Sequence, residues 1–220
     1  MRLTVTSHLT LDGVLESNGK PEPELNDGFA QGGWHVPYLD EGLVRLIADW
    51  IATADAFVLG RRTYELFAGH WSQVTDPHDP IATRLNRLPK YVVSSTLDRA
   101  GWNNSIIVRG DVIEEIAKLK RLPGNELQVH GSAEVVRVLM EHDLVDEYRL
   151  LIHPVVLGNG KRLFADGTTP TGLELVDMRT TSRGVVAHIY KPSGRPEYRR
   201  VALEQEGDIV QDTASRKAAT

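Results

Sequence analysis

In the stretch FVLGRRTYELF, residues 57–67, a short apolar run breaks at Gly60 and is followed at once by Arg61, Arg62 and Thr63. Residues of these types in this order suit an oxyanion. Glycine lets the backbone come close, a helix start offers unpaired N–H groups, and the guanidinium fork matches phosphate. Three later segments share the pattern of an apolar run that ends in small, hydroxyl or basic residues. They are YVVSST, closing on Ser94, Ser95 and Thr96; IIVRGD, with Arg109 before Gly110; and LQVHGSA, closing on His130, Gly131, Ser132 and Ala133. Each has an ordinary alternative: Arg61 and Arg62 as solvated charges or partners of Glu65, residues 94–96 as a strand exit, HGSAE as a helix start. On one edge of one sheet, together, they describe a site for an anion larger than a single phosphate.

Other chemistries find less in the chain. Its lack of cysteine removes disulfides, thiol nucleophiles and cysteine-ligated metals. The eight histidines lack the i, i+4 pairing of a metalloprotease helix, so no metal site is expected. No G-x-G-x-x-G follows a strand, and no G-x-S-x-G elbow is present. GNGKRLF, from Gly158, reads as a turn rather than a P-loop. A net charge of -5 gives no general attraction to nucleic acid or anionic lipid. No apolar run reaches the roughly 18 residues of a membrane helix, and the first residues lack a signal-peptide core, so a cytoplasmic protein is expected.

The elements that must position these residues follow from periodicity. Leu3 and Val5 mark a first strand closed by the Asp12-Gly13 turn, and residues 14–37 form a long loop rich in Gly, Pro, Asn and Glu. Leu39, Leu43, Leu46, Ile47, Trp50 and Ile51 recur at spacings of three and four, which predicts a helix over 38–53. Four apolar runs alternate with helical segments: 56–60, 91–96, 106–111 and 127–132. Asp111 with Glu114 predicts a capping box, and Ser132 a side-chain cap for the helix through Val135, Val136 and Leu139. Strands apolar throughout and alternating with helices form a buried, mostly parallel sheet with helices on both faces. Residues 173–181 and 185–190, joined without a helix, predict an antiparallel hairpin at its edge. Residues 1–192 read as one domain and 193–220 as a polar tail, with YRRVALE a possible extra strand or partner arm.

The order of LTVTSHLTLDGVLE, GGWHVPYLDE, FVLGRRTYE, YVVSSTL and LQVHGSAEVVRVLMEHDLVDEYRLLIHPVVLGNGKRLF resembles the dihydrofolate reductase-like superfamily. It is most similar to the C-terminal reductase domain of bacterial bifunctional riboflavin-biosynthesis deaminase-reductases and their stand-alone relatives, over residues 1–192. The resemblance implies a three-layer α/β fold and NADPH as cofactor. It places Arg61 or Arg62 at the adenosine 2′-phosphate, Thr63 at the pyrophosphate, 94–96 along the adenosine site, and Gly131 with Ser132 as a second pyrophosphate cradle. It also implies a homodimer. Dihydrofolate reductases carry an acid two residues after the proline of W-x-x-P. Here Leu39 holds that position and Asp40 comes one residue later, about 100° around a helix. Asp12 in the LDG turn, His35 and Asp40 are therefore the candidate catalytic residues, whereas His8 and His153 read as packed or hydrogen-bonded core residues.

The expected function is NADPH-dependent reduction of a small heteroaromatic, a pteridine or aminopyrimidine, with residues 14–37 as the lid. A nucleotide-binding or interaction protein that keeps the fold without turnover is the alternative. A phosphate-ester hydrolase ranks last, since it requires a metal or nucleophile that the sequence does not offer.

Overall fold

The computed structural model describes residues 1–16 and 28–200. After β1 (Arg2–Thr10), a 3-10 turn at Val36–Tyr38 leads into α1 (Glu41–Ala52) and β2 (Ala54–Gly60). Next come α2 (Arg61–Trp71), α3 (Pro80–Arg87), β3 (Lys90–Val93), β4 (Ser105–Val108) and α4 (Val112–Arg121). The chain continues through β5 (Glu126–His130), α5 (Ala133–Glu141) and β6 (Glu147–His153), then the hairpin β7 (Leu173–Thr180) and β8 (Val186–Pro192). One sheet runs in the order β4-β3-β2-β5-β1-β6-β8-β7. Its first six strands are parallel, and the hairpin pairs antiparallel along β6. This is the expected three-layer arrangement, with one difference. The link from β3 to β4 carries no helix, although the two strands are parallel.

Alternation divides each central strand between two faces. Leu3, Val5 and Leu9 of β1, Leu127 and Val129 of β5, and Tyr148 and Leu150 of β6 pack with Ile116 of α4 and Val136 and Leu139 of α5. The opposite face carries two separate apolar cores. Phe57, Leu59, Tyr64 and Leu85 lie under α2 and α3, and Leu43, Leu46, Trp50 and Leu151 lie under α1. Between them the face is polar: Thr4, Thr6, Gln128, His130 and Arg149 are all buried.

The lower end of that polar face is an ion network. Arg149 donates to Glu126 at 2.6 and 3.0 Å and to Glu147 at 2.9 Å, and Arg2 bonds both carboxylates. Burial alone would raise the Glu126 carboxyl, but hydrogen bonds from Arg149, Thr53, Arg2 and Gln128 outweigh it and hold it at about 2. Breaking such a network strands a buried charge, so it fixes the register of β1, β5 and β6 at their amino ends.

The segments flanking residues 17–27 are packed. Val14, Phe29 and Trp34 form a small core of their own, and Trp34 Nε1 donates to the Glu16 carbonyl at 2.9 Å. Residues 17–27, the middle of the lid expected over 14–37, and the part of YRRVALE from Val201 onward lie outside the described residues. Tyr198, Arg199 and Arg200 are not in a strand. Among the described residues, no helix is long and apolar enough to cross a membrane.

Four histidines share the polar face, and all are held neutral. Burial lowers His130 and His153 to about 4, His8 falls well below 6.5 through burial and its neighbours His35, His153 and His130, and burial also lowers His35. Unfolding returns each to its ordinary 6.5, so below that pH the unfolded chain takes up protons that the folded chain refuses. Stability is therefore predicted to fall as pH drops from about 6.5 toward 4, ahead of any carboxylate titration. Thermal midpoints measured at pH 7.5, 6.5, 5.5 and 4.5 check this, and a flat profile down to 5 contradicts it.

Candidate functional site

At the carboxyl ends of the parallel strands the chain forms a cleft of about 600 Å³. Its walls include Gly60, Arg61, Arg62, Thr63, Ser94, Ser95, Thr96, Arg109, Ser132 and Ala133, so ten of the expected cofactor residues meet there. Leu15, Glu16 and Lys161 line it as well. Strand ends in a parallel sheet gather loops and helix starts at one edge, which is why residues far apart in sequence converge here.

The cleft depends on a close approach. Gly60 ends β2 and occupies the N-cap of α2, with no side chain capping the helix. A Cβ at Gly60 would lie 2.8 Å from Ser132 Cβ, and nearer still to Ser132 Oγ, so only glycine admits the β5 end at this distance. Gly131 and Ser132 both have left-handed backbones, with φ of 59° and 63°. Left-handed backbone is costly for serine, and such strain persists where surrounding structure enforces it. The side-chain cap expected of Ser132 is not formed, because its left-handed backbone sets the residue against β2 instead. Asp111 does cap α4 by accepting from Glu114 N–H at 2.9 Å, the one half of the expected capping box that is made.

Arg109 spans the link between β3 and β4, donating to the Leu97 carbonyl at 2.6 Å. Ser94 Oγ accepts from Leu97 N–H at 2.9 Å and Thr96 N–H at 3.2 Å. These bonds shape the wall of the cleft. Arg61 stands 4.0 Å from Glu65, a surface pairing that leaves its charge near the opening. Two expected cofactor residues do not line the cleft. Gly131 lies behind it, where a Cβ would sit 3.3 Å from Thr63 Oγ1. His130 faces the other side of the sheet among Phe57 and Phe67, with Nε2 at 3.2 Å from Gln128 Oε1.

The three candidate catalytic residues separate. Asp12 accepts from Thr10 Oγ1 at 2.7 Å and from the Leu157 and Gly158 N–H groups at 3.2 and 2.9 Å. The Thr10 hydrogen bond leads the effects that hold its carboxyl at about 2. Asp40 caps α1 through Leu43 N–H at 2.7 Å and accepts from Ser182 Oγ at 2.6 Å and Arg183 N–H at 3.0 Å; with Ser182 foremost, its carboxyl too sits at about 2. Carboxylates so engaged stay ionised and act as latches, Asp12 holding residues 157–158 to the end of β1 and Asp40 holding the hairpin tip to α1. Only His35 joins a cluster of titratable rings. It lies 5.4 Å from His8 and 5.6 Å from Trp34 between ring centroids, and His8 Nδ1 is 3.0 Å from His153 Nε2.

Sequence reasoning missed Leu15, Glu16 and Lys161. The bond from Leu15 N–H to the Lys161 carbonyl at 2.9 Å, beside the bridge from Val14 to Arg162, carries GNGKRLF up to the cleft. That contact joins residues nearly 150 positions apart in the chain, and no local pattern signals it. A larger groove, about 1170 Å³, opens between α2, α3 and the β3–β4 link. Arg87 and Arg99 line it, but no carboxyl end of a strand reaches it, and the strand-end cleft is the one where the starts of α2, α4 and α5 converge.

Glycines, helix starts and arginines at this edge of the sheet suit an anion. The family model described as "RibD C-terminal domain" matches residues 2–187. The chain belongs to the RibD C-terminal domain family. The uncharacterised protein YyaP of Bacillus subtilis (strain 168) is 32% identical over 196 residues, covering 88% of this chain and 96% of YyaP. Among solved structures, a pyrimidine reductase-like protein from Corynebacterium diphtheriae superposes with a TM-score of 0.60 at 15% identity, covering 87% and 91% of the two chains. Dihydrofolate reductase from Enterococcus faecalis, complexed with NADP(H) and RAB-propyl, superposes with a TM-score of 0.52 at 17% identity, covering 87% and 96% of the two chains. The RibD C-terminal domain family is one of reductases, and the fold is that of dihydrofolate reductase.

The Gly60–Ser132 approach makes a direct prediction. Gly60→Ala should destabilise the protein by about 1–3 kcal/mol through overpacking, and by much less in a Ser132→Gly background, where the opposing Cβ and Oγ are gone. Denaturant unfolding of the four proteins of this cycle checks it; equal costs in both backgrounds contradict the contact.

Proposed function

We propose that the chain is an NADPH-dependent reductase of a small pteridine- or aminopyrimidine-type substrate, with the riboflavin-pathway reduction of a ribosylaminouracil 5-phosphate the nearest named activity. The observation that carries this reading is the convergence of Gly60–Thr63, Ser94–Thr96, Arg109 and Ser132–Ala133 on one cleft. The donor set fits the cofactor. Glycine approach and uncapped helix N–H groups suit a pyrophosphate, and arginines suit a further dianionic phosphate, which favours NADPH over NADH. When bound, the cofactor supplies hydride, and the residues of the cleft bind it, orient it and exclude water.

Reduction also consumes a proton. Asp12 and Asp40 are latched as carboxylates, so neither is suited to give one near neutral pH. The one observation in favour of the alternative, a nucleotide-binding protein without turnover, is that latching. Oxidation of NADPH in the presence of a substrate panel separates the two. A homodimer fits the same reading. Among the described residues the edge strand β7 pairs with β8 alone, and it exposes Leu173, Leu175, Val176 and Met178, which supports burial against a second copy.

Titration with NADPH and NADH, followed by nicotinamide fluorescence, tests the cofactor assignment. Wild type should prefer NADPH, and the doubly substituted Arg61→Ala, Arg62→Ala protein should lose about 10- to 100-fold of that preference, the worth of one or two charge-assisted hydrogen bonds. Equal affinity for both cofactors in wild type, or a preference unchanged in the variant, contradicts the role of these arginines.

A further inference from the structure

The walls of the strand-end cleft follow the order of the sheet. Arg109 stands at the end of β4, Ser94–Thr96 follow β3, Gly60–Thr63 close β2, and Ser132–Ala133 follow β5. The chain that leaves β1 adds Leu15 and Glu16, with Lys161 bonded to it. In the middle α2 and α5 start side by side, and neither start is capped by a side chain, whereas Asp111 caps α4. Uncapped N–H groups of this kind favour an anion. Arg61 and Arg62 flank that centre at β2. Lys161 flanks it from the side of β1, the next strand past β5, a step of about 5 Å at ordinary strand spacing.

Lys161 has a fixed base. Its N–H donates to Glu16 Oε2 at 3.1 Å, and its carbonyl accepts from Leu15 N–H at 2.9 Å. With both backbone groups used, the half-exposed side chain is what the residue offers the cleft. The neighbouring backbone is held as well. Asp12 accepts from the Leu157 and Gly158 N–H groups, and Arg162 Nε donates to the Asp12 carbonyl at 2.9 Å. Gly160, at φ 114°, lies so close to Val14 and Phe29 that a Cβ would meet them at 2.7 and 2.9 Å. Among the described residues the Lys161 ammonium has one ionic neighbour, Glu16 Oε1 at 3.9 Å. That is beyond hydrogen-bond range, so the pair leaves the ammonium's donors to a ligand.

We infer that Lys161 supplies the cation for the cofactor's diphosphate from the β1 side of the cleft, and that Glu16 is a positioning residue whose charge weakens dinucleotide binding. The inference rests on the reductase reading above. Four basic residues line the cleft: Arg61, Arg62, Arg109 and Lys161. The α2 arginines suit the 2′-phosphate, and Arg109 is bonded to the Leu97 and Asp98 carbonyls. Lys161 therefore remains for the diphosphate. A compact ammonium with rotatable donors meets two linked phosphates without the fixed fork geometry that arginine demands. Glu16 brings Lys161 to the cleft through the bond to its backbone N–H, yet does so with a carboxylate, which repels phosphate. NADPH and NADH share the diphosphate, so both charges act on the two cofactors alike.

Fluorescence titration with NADPH and NADH, with competition by adenosine 2′-monophosphate, reads the two phosphate sites separately. Lys161→Met should weaken NADPH and NADH alike by about tenfold, flatten the salt dependence of both, and leave adenosine 2′-monophosphate unchanged. Lys161→Arg, which keeps the charge, should restore most of the affinity. Glu16→Gln keeps an oxygen to accept the Lys161 N–H and should tighten both dinucleotides by up to about fivefold, the limit for a part-exposed pair. The backbone bonds of Lys161 survive in all three variants, so thermal midpoints should stay at the wild-type value. Lys161→Met that binds both dinucleotides like wild type, that loses NADPH alone, or that loses adenosine 2′-monophosphate equally overturns the inference. Weaker binding in Glu16→Gln overturns it too. Wild type that binds neither dinucleotide removes the reductase reading, whereas wild type that prefers NADPH and is matched by Lys161→Met removes this inference alone.

Discussion

The contact on which the site depends is the meeting of two strand ends, Gly60 of β2 with Ser132 after β5. Because these strands are neighbours in the sheet, their ends must pass into α2 and α5 side by side. With no side chain on one of them, the two helix starts open onto the same space. The left-handed backbone at Gly131 and Ser132 is the conformational cost of that arrangement, and sheet pairing on both sides of β5 maintains it. A larger residue at position 60 would wedge the ends apart and turn one cradle into two separate loops.

Along the polar face the molecule shows a gradient. The amino ends of β1, β5 and β6 carry an ion network in which each charge is answered. Toward the carboxyl ends the charges give way to neutral imidazoles, while unanswered hydroxyls lie at Thr4, opposite Gln128 and Glu147, and at Thr6, opposite Arg149. A fold that answers its buried charges at the amino ends of these strands is rigid where register is set. The two latched aspartates extend the same division. They sit at the carboxyl edge, yet their acceptor capacity holds the Val155–Gly158 segment and the hairpin tip in place.

Much of this was legible in the sequence, for reasons that also mark the limits. Continuous apolar runs such as AFVLG reveal a strand buried on both faces, and the four strand exits were recognisable by glycine, hydroxyl and arginine content. Periodicity gave α1 from Leu43, Leu46, Trp50 and Ile51, while Tyr38 fell in the preceding 3-10 turn because Pro37 and the Asp40 cap delay the helix start. Ser132 was misread as a side-chain cap since its conformation is imposed by a tertiary approach that no local pattern encodes. His130 was grouped with the cofactor residues by its neighbours in sequence, but strand alternation turns it to the opposite face. Lys161 and Glu16 meet through a contact between distant segments. His8 and His153 were correctly read as hydrogen-bonded, and their partnership with each other needed the β1–β6 register to be seen.

The most direct test of the account is amide hydrogen exchange with and without saturating NADPH. Protection is predicted at residues 61–63, 94–96 and 131–133, with residues 73–77 and 101–104 of the larger groove unchanged. Protection confined to that groove, or no protection in the presence of the cofactor, would contradict the claim that the converging strand ends hold its phosphates.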